Sequence, residues 1–441
     1  MDDLVESNAA QMNIVPQNAK PALRLRSIDA LRGAAALGVV LYHSVDRSPA
    51  VVPAGWSRYP EILLQFVSSF GYIGVFLFFV ISGFCIHLQW ARAKANGEQP
   101  VISFGSFWKR RVRRLYPPYI IALAIYLGLT AASVGIDVTR FFIYDVGMHL
   151  FMLHNLDPKT CYSINGVFWT LAIEEQLYLA YFLLIFVRAR FGWITTLVVC
   201  LLARAGWMVF SHVIWLRTGF GIPVPEAAAS HWFTWALGAI SVEAMFGLIQ
   251  LPKWCSNLKL AGVLIIGAAA LSNALPWIPK DTIWHNGSWF LLHPLWGVGF
   301  LIVVNRCVVS EQRWIRSSQL PLLVSLFATL GVFSYSIYLT HELTIMQSWR
   351  WTSATSSQVG KVLLLVMPAT IVAAWVFFWF CERPFIVKRK AGQEAPVLIG
   401  ESHAEESLVG LFPKRFRPVP NERSQTAEAI KPQAIETVVE A

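Results

Sequence analysis

The sequence predicts an all-α, polytopic membrane protein of about ten transmembrane helices with both termini cytoplasmic. Three observations lead there. The 441 residues are 56% hydrophobic and only 14% charged, with a mean hydropathy of +0.52, whereas a soluble chain of this size needs far more charge on its surface. The 19 Trp and 29 Phe suit aromatic belts at two membrane interfaces. Lys and Arg also alternate in density from loop to loop, as expected of a chain threaded back and forth across a bilayer.

Apolar runs near the ~20 residues that cross a bilayer occur at 28–46, 66–88, 117–135, 168–187, 193–215, 232–250, 260–279, 287–305, 322–346 and 361–381. Pro117 and Pro118 are expected to open the third span, where a missing N–H costs little. The stretch 141–154 is too short to cross and reads as interfacial. The organisation is thus a polar cytoplasmic tail (1–27), a membrane domain (28–385) and a polar, proline-bearing tail (386–441) that reads as disordered and cytoplasmic. The first twenty residues include Asp2, Asp3 and Glu6 and show no cleavable signal peptide. The six cysteines form no spaced pair. Cys85, Cys200 and Cys381 lie in apolar runs and Cys161 stands alone in an external loop, so neither a disulfide framework nor a metal site is expected.

One set of loops holds Lys20, Arg24, Arg26, Arg92, Lys94, the run from Lys109 to Arg114, Arg188, Arg190, Lys253, Lys259, Arg306, Arg313, Arg316 and Lys388 to Lys390. The alternate loops hold only Arg47, Arg58, Arg140, Lys159, Arg217, Lys280, Arg350 and Lys361. The positive-inside rule therefore accounts for the net charge of +10 without nucleic acid and places both termini in the cytoplasm. No internal repeat is visible, which counts against transporters built from duplicated halves.

The polar residues at membrane depth sort by sidedness. The first span carries Asp29, Arg32 and His43. Ionisable groups there are costly, so they face a protein interior or a water-filled cavity. Arg32 and His43 are three helical turns apart, about 16 Å along one face. Asp29 reads as structural, a partner for Arg32 three residues on. On the cytoplasmic side, FWKRRVRRLYPPY places five cations in six positions. Arginine forks match phosphate oxygens, while the same cluster would also serve as an anchor on anionic head groups. Spacing alone puts Arg110 and Arg114 on one face. On the outer side, Glu174 and Glu175 lie in the fourth span, and Tyr335, Tyr338, His341 and Glu342 near the outer end of the ninth.

These pieces resemble the membrane acyltransferase-3 family, bacterial O-acyltransferases of extracytoplasmic glycans. The matching segments are IDALRGAAALGVVLYH, GYIGVFLFFVISGFCI, FWKRRVRRLYPPY, VFWTLAIEEQLYL, FSYSIYLTH and ERPF at Glu382 to Phe385, in the family's order across residues 28–385. The family's Arg-x10-His pattern falls on Arg32 and His43. Its Arg-Arg-x-x-Arg pattern falls on Arg110, Arg111 and Arg114. Its aromatic-Ser-Leu-x-x-Glu element falls on Trp169 to Glu174, with Thr170 keeping the hydroxyl of the usual Ser. Some relatives fuse a C-terminal hydrolase-like domain, and the roughly sixty residues after the last span are too few for one. The chain is therefore expected to act as a stand-alone transferase or to pass acyl groups to a separate periplasmic transferase.

The resemblance implies transfer of an acyl group, acetyl by default, from cytoplasmic acyl-CoA to a hydroxyl of an extracytoplasmic or lipid-linked saccharide, such as exopolysaccharide or lipopolysaccharide. The setting would be the bacterial inner membrane, alongside glycan-biosynthesis proteins. Acyl-CoA is then a donor substrate, with no permanently bound cofactor. Arg110, Arg111 and Arg114 would hold its phosphates. His43 would be the general base, or a transient acyl carrier. Glu174 would orient it, and Arg32 would position the donor or stabilise developing charge. His341, Tyr335 and Trp169 are candidates for acceptor binding or proton relay. A proton-coupled transporter, which needs no phosphate clamp, and a flippase or polymerase of lipid-linked glycans, which needs a long external loop, are the competing classes.

Overall fold

The computed structural model describes residues 25–49, 58–100, 102–135, 137–279, 282–317, 321–352 and 358–386. Among these, every regular element is helical: α1 (Arg26–Asp46), α2 (Arg58–Ser68), α3 (Gly74–Ala95), α4 (Phe104–Val134), α5 (Arg140–Leu150), α6 (Trp169–Thr218), α7 (Ala228–Met245), α8 (Leu258–Ala274), α9 (Ile283–Ser317), α10 (Leu322–Val332), α11 (Ser334–Arg350) and α12 (Gln358–Phe385), the last including two π-helical turns. The tail expectations for 1–24 and 387–441, with Lys20, Arg24, Lys280 and Lys388 to Lys390, lie outside the described residues.

Seven helical segments are long and apolar enough to cross a membrane, or eight if α10 and α11, bent by 76° at Phe333, form one span. Ten were expected from the sequence. The difference has physical sources. The runs 168–187 and 193–215 fall in one 50-residue helix, α6, interrupted at Gly192, where φ is 80° and ψ 179°. That left-handed backbone suits glycine, and the break lets two lengths share one element. The run 232–250 falls on α7, whose buried residues include Ser230, His231, Thr234, Ser241 and Glu243. The third span does not begin at its prolines. α4 starts at Phe104, and Pro117 and Pro118 lie inside it.

Two helix pairs pack through reciprocal glycines, one on each helix. A Cβ added to Gly33 on α1 would meet the Phe327 carbonyl of α10 at 1.9 Å, and one added to Gly331 on α10 would meet the Asp29 carbonyl at 1.9 Å. The α3–α7 pair repeats the device, with Gly83 against the Trp235 carbonyl and Gly238 against the Val80 carbonyl, each at 1.9 Å. In lipid, where no hydrophobic effect drives helices together, such close backbone approach is a main source of association. Gly238→Ala is therefore expected to destabilise the fold by roughly 1–3 kcal/mol through overpacking. Gly128→Ala on α4, with nothing within 4 Å, should stabilise slightly by helix propensity. Melting of both variants in detergent checks the opposite signs.

Several helix starts are satisfied by buried carboxylates distant in sequence. Leu25 at the N-cap of α1 offers no side-chain acceptor. Instead the N–H groups of Arg26 and Ser27 donate to Glu311 at 2.8 and 2.6 Å. In α11, the Ser336 N–H and hydroxyl donate to Glu382 at 3.1 and 2.5 Å. In α12, the Val359 N–H donates to Glu61 at 3.1 Å. Each anion meets the positive end of a helix and satisfies donors that would otherwise be orphaned. Pro294 in α9 frees the carbonyl of Phe290, four residues back, because it lacks an N–H. The fully buried Arg204 of α6 answers it, donating to the Phe290 carbonyl at 3.0 Å, the Ser230 carbonyl at 2.9 Å and the Trp289 carbonyl.

Cys161, which the sequence places alone in an external loop, is fully buried. Burial, with Glu226 adding to it, pushes its thiol up to about 12. All six cysteines are free.

Candidate active site

Five helices converge on two adjoining cavities. α3 presents Val75, Phe78, Ser82 and Cys85, one stripe at helical spacing. α4 presents Arg111, Arg114 and Leu115, and α6 presents Thr170, Leu171, Glu174 and Tyr178. α1 contributes Arg32 and α11 contributes Ser334, Tyr335 and Tyr338. The first cavity, about 90 Å³, is lined by Arg32, Ser82, Cys85, Arg111, Arg114, Glu174 and Tyr178. The second, about 70 Å³, is lined by Val75, Phe79, Thr170, Leu171, Ser334 and Tyr338. Arg32, Phe78, Glu174 and Tyr335 belong to both walls.

The first cavity is cationic, and its cations are held in place. The Arg111 guanidinium lies 5.6 Å from the Phe107 ring and 5.7 Å from the Tyr178 ring, contacts that orient a planar cation. Glu174 meets the hydroxyls of Ser82 and Tyr178 and faces Arg32 and Arg111. The Tyr335 hydroxyl donates to the Leu115 carbonyl at 2.9 Å. That bond ties α11 to α4 beside the prolines. The Thr170 hydroxyl donates to Tyr338, which donates to the Val167 carbonyl, both at 2.5 Å.

Beyond Tyr338 lies a histidine pair. The rings of His43 and His341 are 5.3 Å apart, and that of His341 is 5.4 Å from the Tyr338 ring. His341 Nδ1 donates to the Tyr338 carbonyl at 2.8 Å, which assigns the free lone pair to Nε2. Nε2 of His341, Nδ1 of His43 and Oε2 of Glu342 are buried without a hydrogen-bond partner. Glu342 Oε1 accepts from Arg47 Nη2 at 2.7 Å. The loop before α6 closes over this ion pair: a Cβ at Gly166 would lie 3.1 Å from Glu342 Oε1 and 3.4 Å from Arg47 Nη2. Three orphaned polar atoms at one place are costly unless a ligand meets them.

Of the residues singled out in the sequence, Arg32, Arg111, Arg114, Glu174 and Tyr335 line one continuous space, and His43 and His341 stand together beyond it. Others fall elsewhere. Arg110 is exposed, as is Arg113; Arg111 and Arg114 share the inward face, not Arg110 and Arg114. Trp169 points toward His231, with ring centres 6.4 Å apart, and does not line the cavities. Glu174 sits with Arg32 and Arg111, so the ring facing His43 is that of His341. Sequence reasoning missed Phe78, Ser82, Cys85 and Tyr178, and it missed the Arg47–Glu342 pair.

A second polar network also escaped it. His87 accepts from the Tyr181 hydroxyl at 3.0 Å and donates to Glu243 at 2.9 Å. Arg188 grips Glu243 through two bonds of 2.8 and 2.7 Å, and Trp193 donates to it at 2.8 Å. Every ring nitrogen and carboxylate oxygen there has a partner, so the network pins α3, α6 and α7 together and offers nothing to a ligand. No group of three metal-ligating side chains converges among the described residues.

A family model described as an acyltransferase domain matches residues 25–381. The O-acetyltransferase OatA of Staphylococcus aureus is 27% identical over 390 residues, covering 84% of this chain and 58% of that protein. The peptidoglycan O-acetyltransferase OatA of Listeria monocytogenes is 26% identical over 391 residues, covering 81% of this chain and 55% of that protein. The chain thus spans a little over half the length of these relatives. No solved structure matches it.

Proposed function

This chain belongs to the membrane acyltransferase-3 family, and from that premise we propose that it transfers an acetyl group from acyl-CoA to a saccharide hydroxyl on the opposite face of a bacterial plasma membrane. The observation that carries the reading is the continuity of the site. A cationic cavity at Arg111 and Arg114 shares the Arg32 and Glu174 wall with a second one lined by Tyr338, whose ring is 5.4 Å from that of His341, itself 5.3 Å from that of His43. Phosphates of the donor meet Arg111 and Arg114, and its thin thioester arm follows the passage. The Listeria relative carries peptidoglycan in its name, and an acceptor of that class presents sugar hydroxyls.

The chemistry is a single displacement. His43 takes the proton of the acceptor hydroxyl as the oxygen bonds to the acyl carbon. Arg32, about 16 Å from His43 along α1, positions the donor arm on its way there. The carbon–sulfur bond then breaks, and the departing thiolate of CoA receives the proton that His43 took up. His341, its Nε2 buried without a hydrogen-bond partner, completes the proton path, and Glu342 supports the imidazolium charge.

The reading includes ten crossings and cytoplasmic termini. The break at Gly192 divides α6 into two spans, and α7 supplies another. The exposed Arg110 and Arg113 then face the cytoplasm. The test is transfer across a proteoliposome: radiolabelled acetyl-CoA on the face bearing Arg110 and Arg113, saccharide acceptor on the other. Labelled acceptor is expected only with that polarity. No label, or label only with the polarity reversed, contradicts the proposal.

A further inference from the structure

The two cavities differ in character, and one aromatic ring stands between them. The first is rimmed by Arg32, Arg111 and Arg114. In the second, Val75, Phe79 and Leu171 make much of the wall. Phe78 is common to both, partly exposed on a helix whose neighbours Leu77, Phe79, Val80 and Ile81 are all buried. Its ring centre is 6.5 Å from that of Tyr338, edge to face, so it projects from α3 toward α11 across the line from arginines to histidines.

We propose that Phe78 limits the length of the acyl group this chain transfers, by narrowing the passage so that a two-carbon acyl group reaches the histidines and longer or carboxylated ones do not. The inference rests on the acyl-transfer reading above and adds a substrate limit to it. One water needs about 10–15 Å³ in such a cavity, so 70 Å³ offers about five to seven water-sized positions. The acceptor's carbinol group takes about two of them, which leaves room for an acetyl group. A four-carbon acyl chain, two methylenes longer, fills or exceeds what remains. A succinyl group further brings a carboxylate against the Val75, Phe79 and Leu171 wall, where the Arg32 cation is already offset by the Glu174 carboxylate, and a charge so placed is disfavoured. Selection by a missing or extra methylene in an apolar pocket is worth 10–200-fold. That range is what a single ring at a constriction supplies.

The test compares acetyl-CoA, butanoyl-CoA and succinyl-CoA as donors to the same saccharide acceptor in proteoliposomes. The wild type is expected to favour acetyl. Phe78→Ala is expected to raise the butanoyl-to-acetyl ratio of kcat/KM at least tenfold, with succinyl gaining less because its charge still meets the apolar wall. Phe78→Leu keeps most of the apolar volume, and carries the test should the alanine variant fail to fold; a smaller shift of the same sign is expected. An unchanged ratio in a variant that still transfers acetyl overturns the proposal and leaves the acyl-transfer reading standing. A wild type that transfers no acyl group from any of the three donors overturns both.

Discussion

His43→Ala is expected to lower acyl transfer by about 10²–10⁴-fold, the usual contribution of a positioned general base, with folding and membrane insertion intact. His43 sits in the last turn of α1. Its ring lies against Tyr42 and His341, with centres 5.0 and 5.3 Å away, and its Nδ1 is buried without a partner. A nitrogen that makes no hydrogen bond contributes little to the fold, so removing it should affect chemistry more than stability. Substrate affinity should also change little, because the cations proposed to hold the donor's phosphates are on α4, so the loss belongs in kcat. His43→Gln keeps polarity and removes basicity, and should fail equally. Initial rates of acetyl transfer at saturating donor measure both. Transfer near the wild-type rate by either variant removes His43 from the mechanism.

The sequence displayed much of this site and hid the rest for identifiable reasons. Arg32, Glu174 and His341 were legible because an ionisable group at membrane depth is conspicuous among apolar residues. The cavity-facing side of α4 was not. Lys109 to Arg114 puts cations around the whole circumference of a helix with 3.6 residues per turn. Only the packing of Phe107 and Tyr178 decides that Arg111 turns inward and Arg110 outward. Phe78 was invisible for the opposite reason: α3 is apolar on nearly every side, so no periodicity marks the face that lines the cavity. The runs 168–187 and 193–215 were legible as separate apolar lengths, and the break at Gly192 lies between them within one helical stretch. The capping carboxylates Glu61, Glu311 and Glu382 and the proline-answering Arg204 act on elements 46 to 298 residues away. Local pattern carries no trace of such pairings.

Replacing both Arg111 and Arg114 with Glu is expected to raise the KM for acetyl-CoA by about 10²–10⁴-fold. Hydrogen bonds to charged groups contribute roughly 1.5–3 kcal/mol each, and each 1.4 kcal/mol is a factor of ten. The KM for the saccharide should change little. Arg110→Glu with Arg113→Glu, on the exposed face, should cost far less and lose its effect at high salt, as screened surface charges do. Equal effects from the two pairs would return the cluster to a head-group anchor.

The central claim is that the donor lies in the cavity between α1, α3, α4, α6 and α11, and covalent mapping of the donor tests it most directly. A photoreactive acetyl-CoA carrying a diazirine on its pantetheine arm is irradiated with the reconstituted protein, and the modified peptides are identified by mass spectrometry. The account predicts cross-links within residues 75–86 of α3 and 170–178 of α6. They should be competed away by acetyl-CoA and lost from the Arg111→Glu, Arg114→Glu variant. Cross-links confined to the exposed residues 109, 110 and 113, or undiminished by acetyl-CoA, would contradict it.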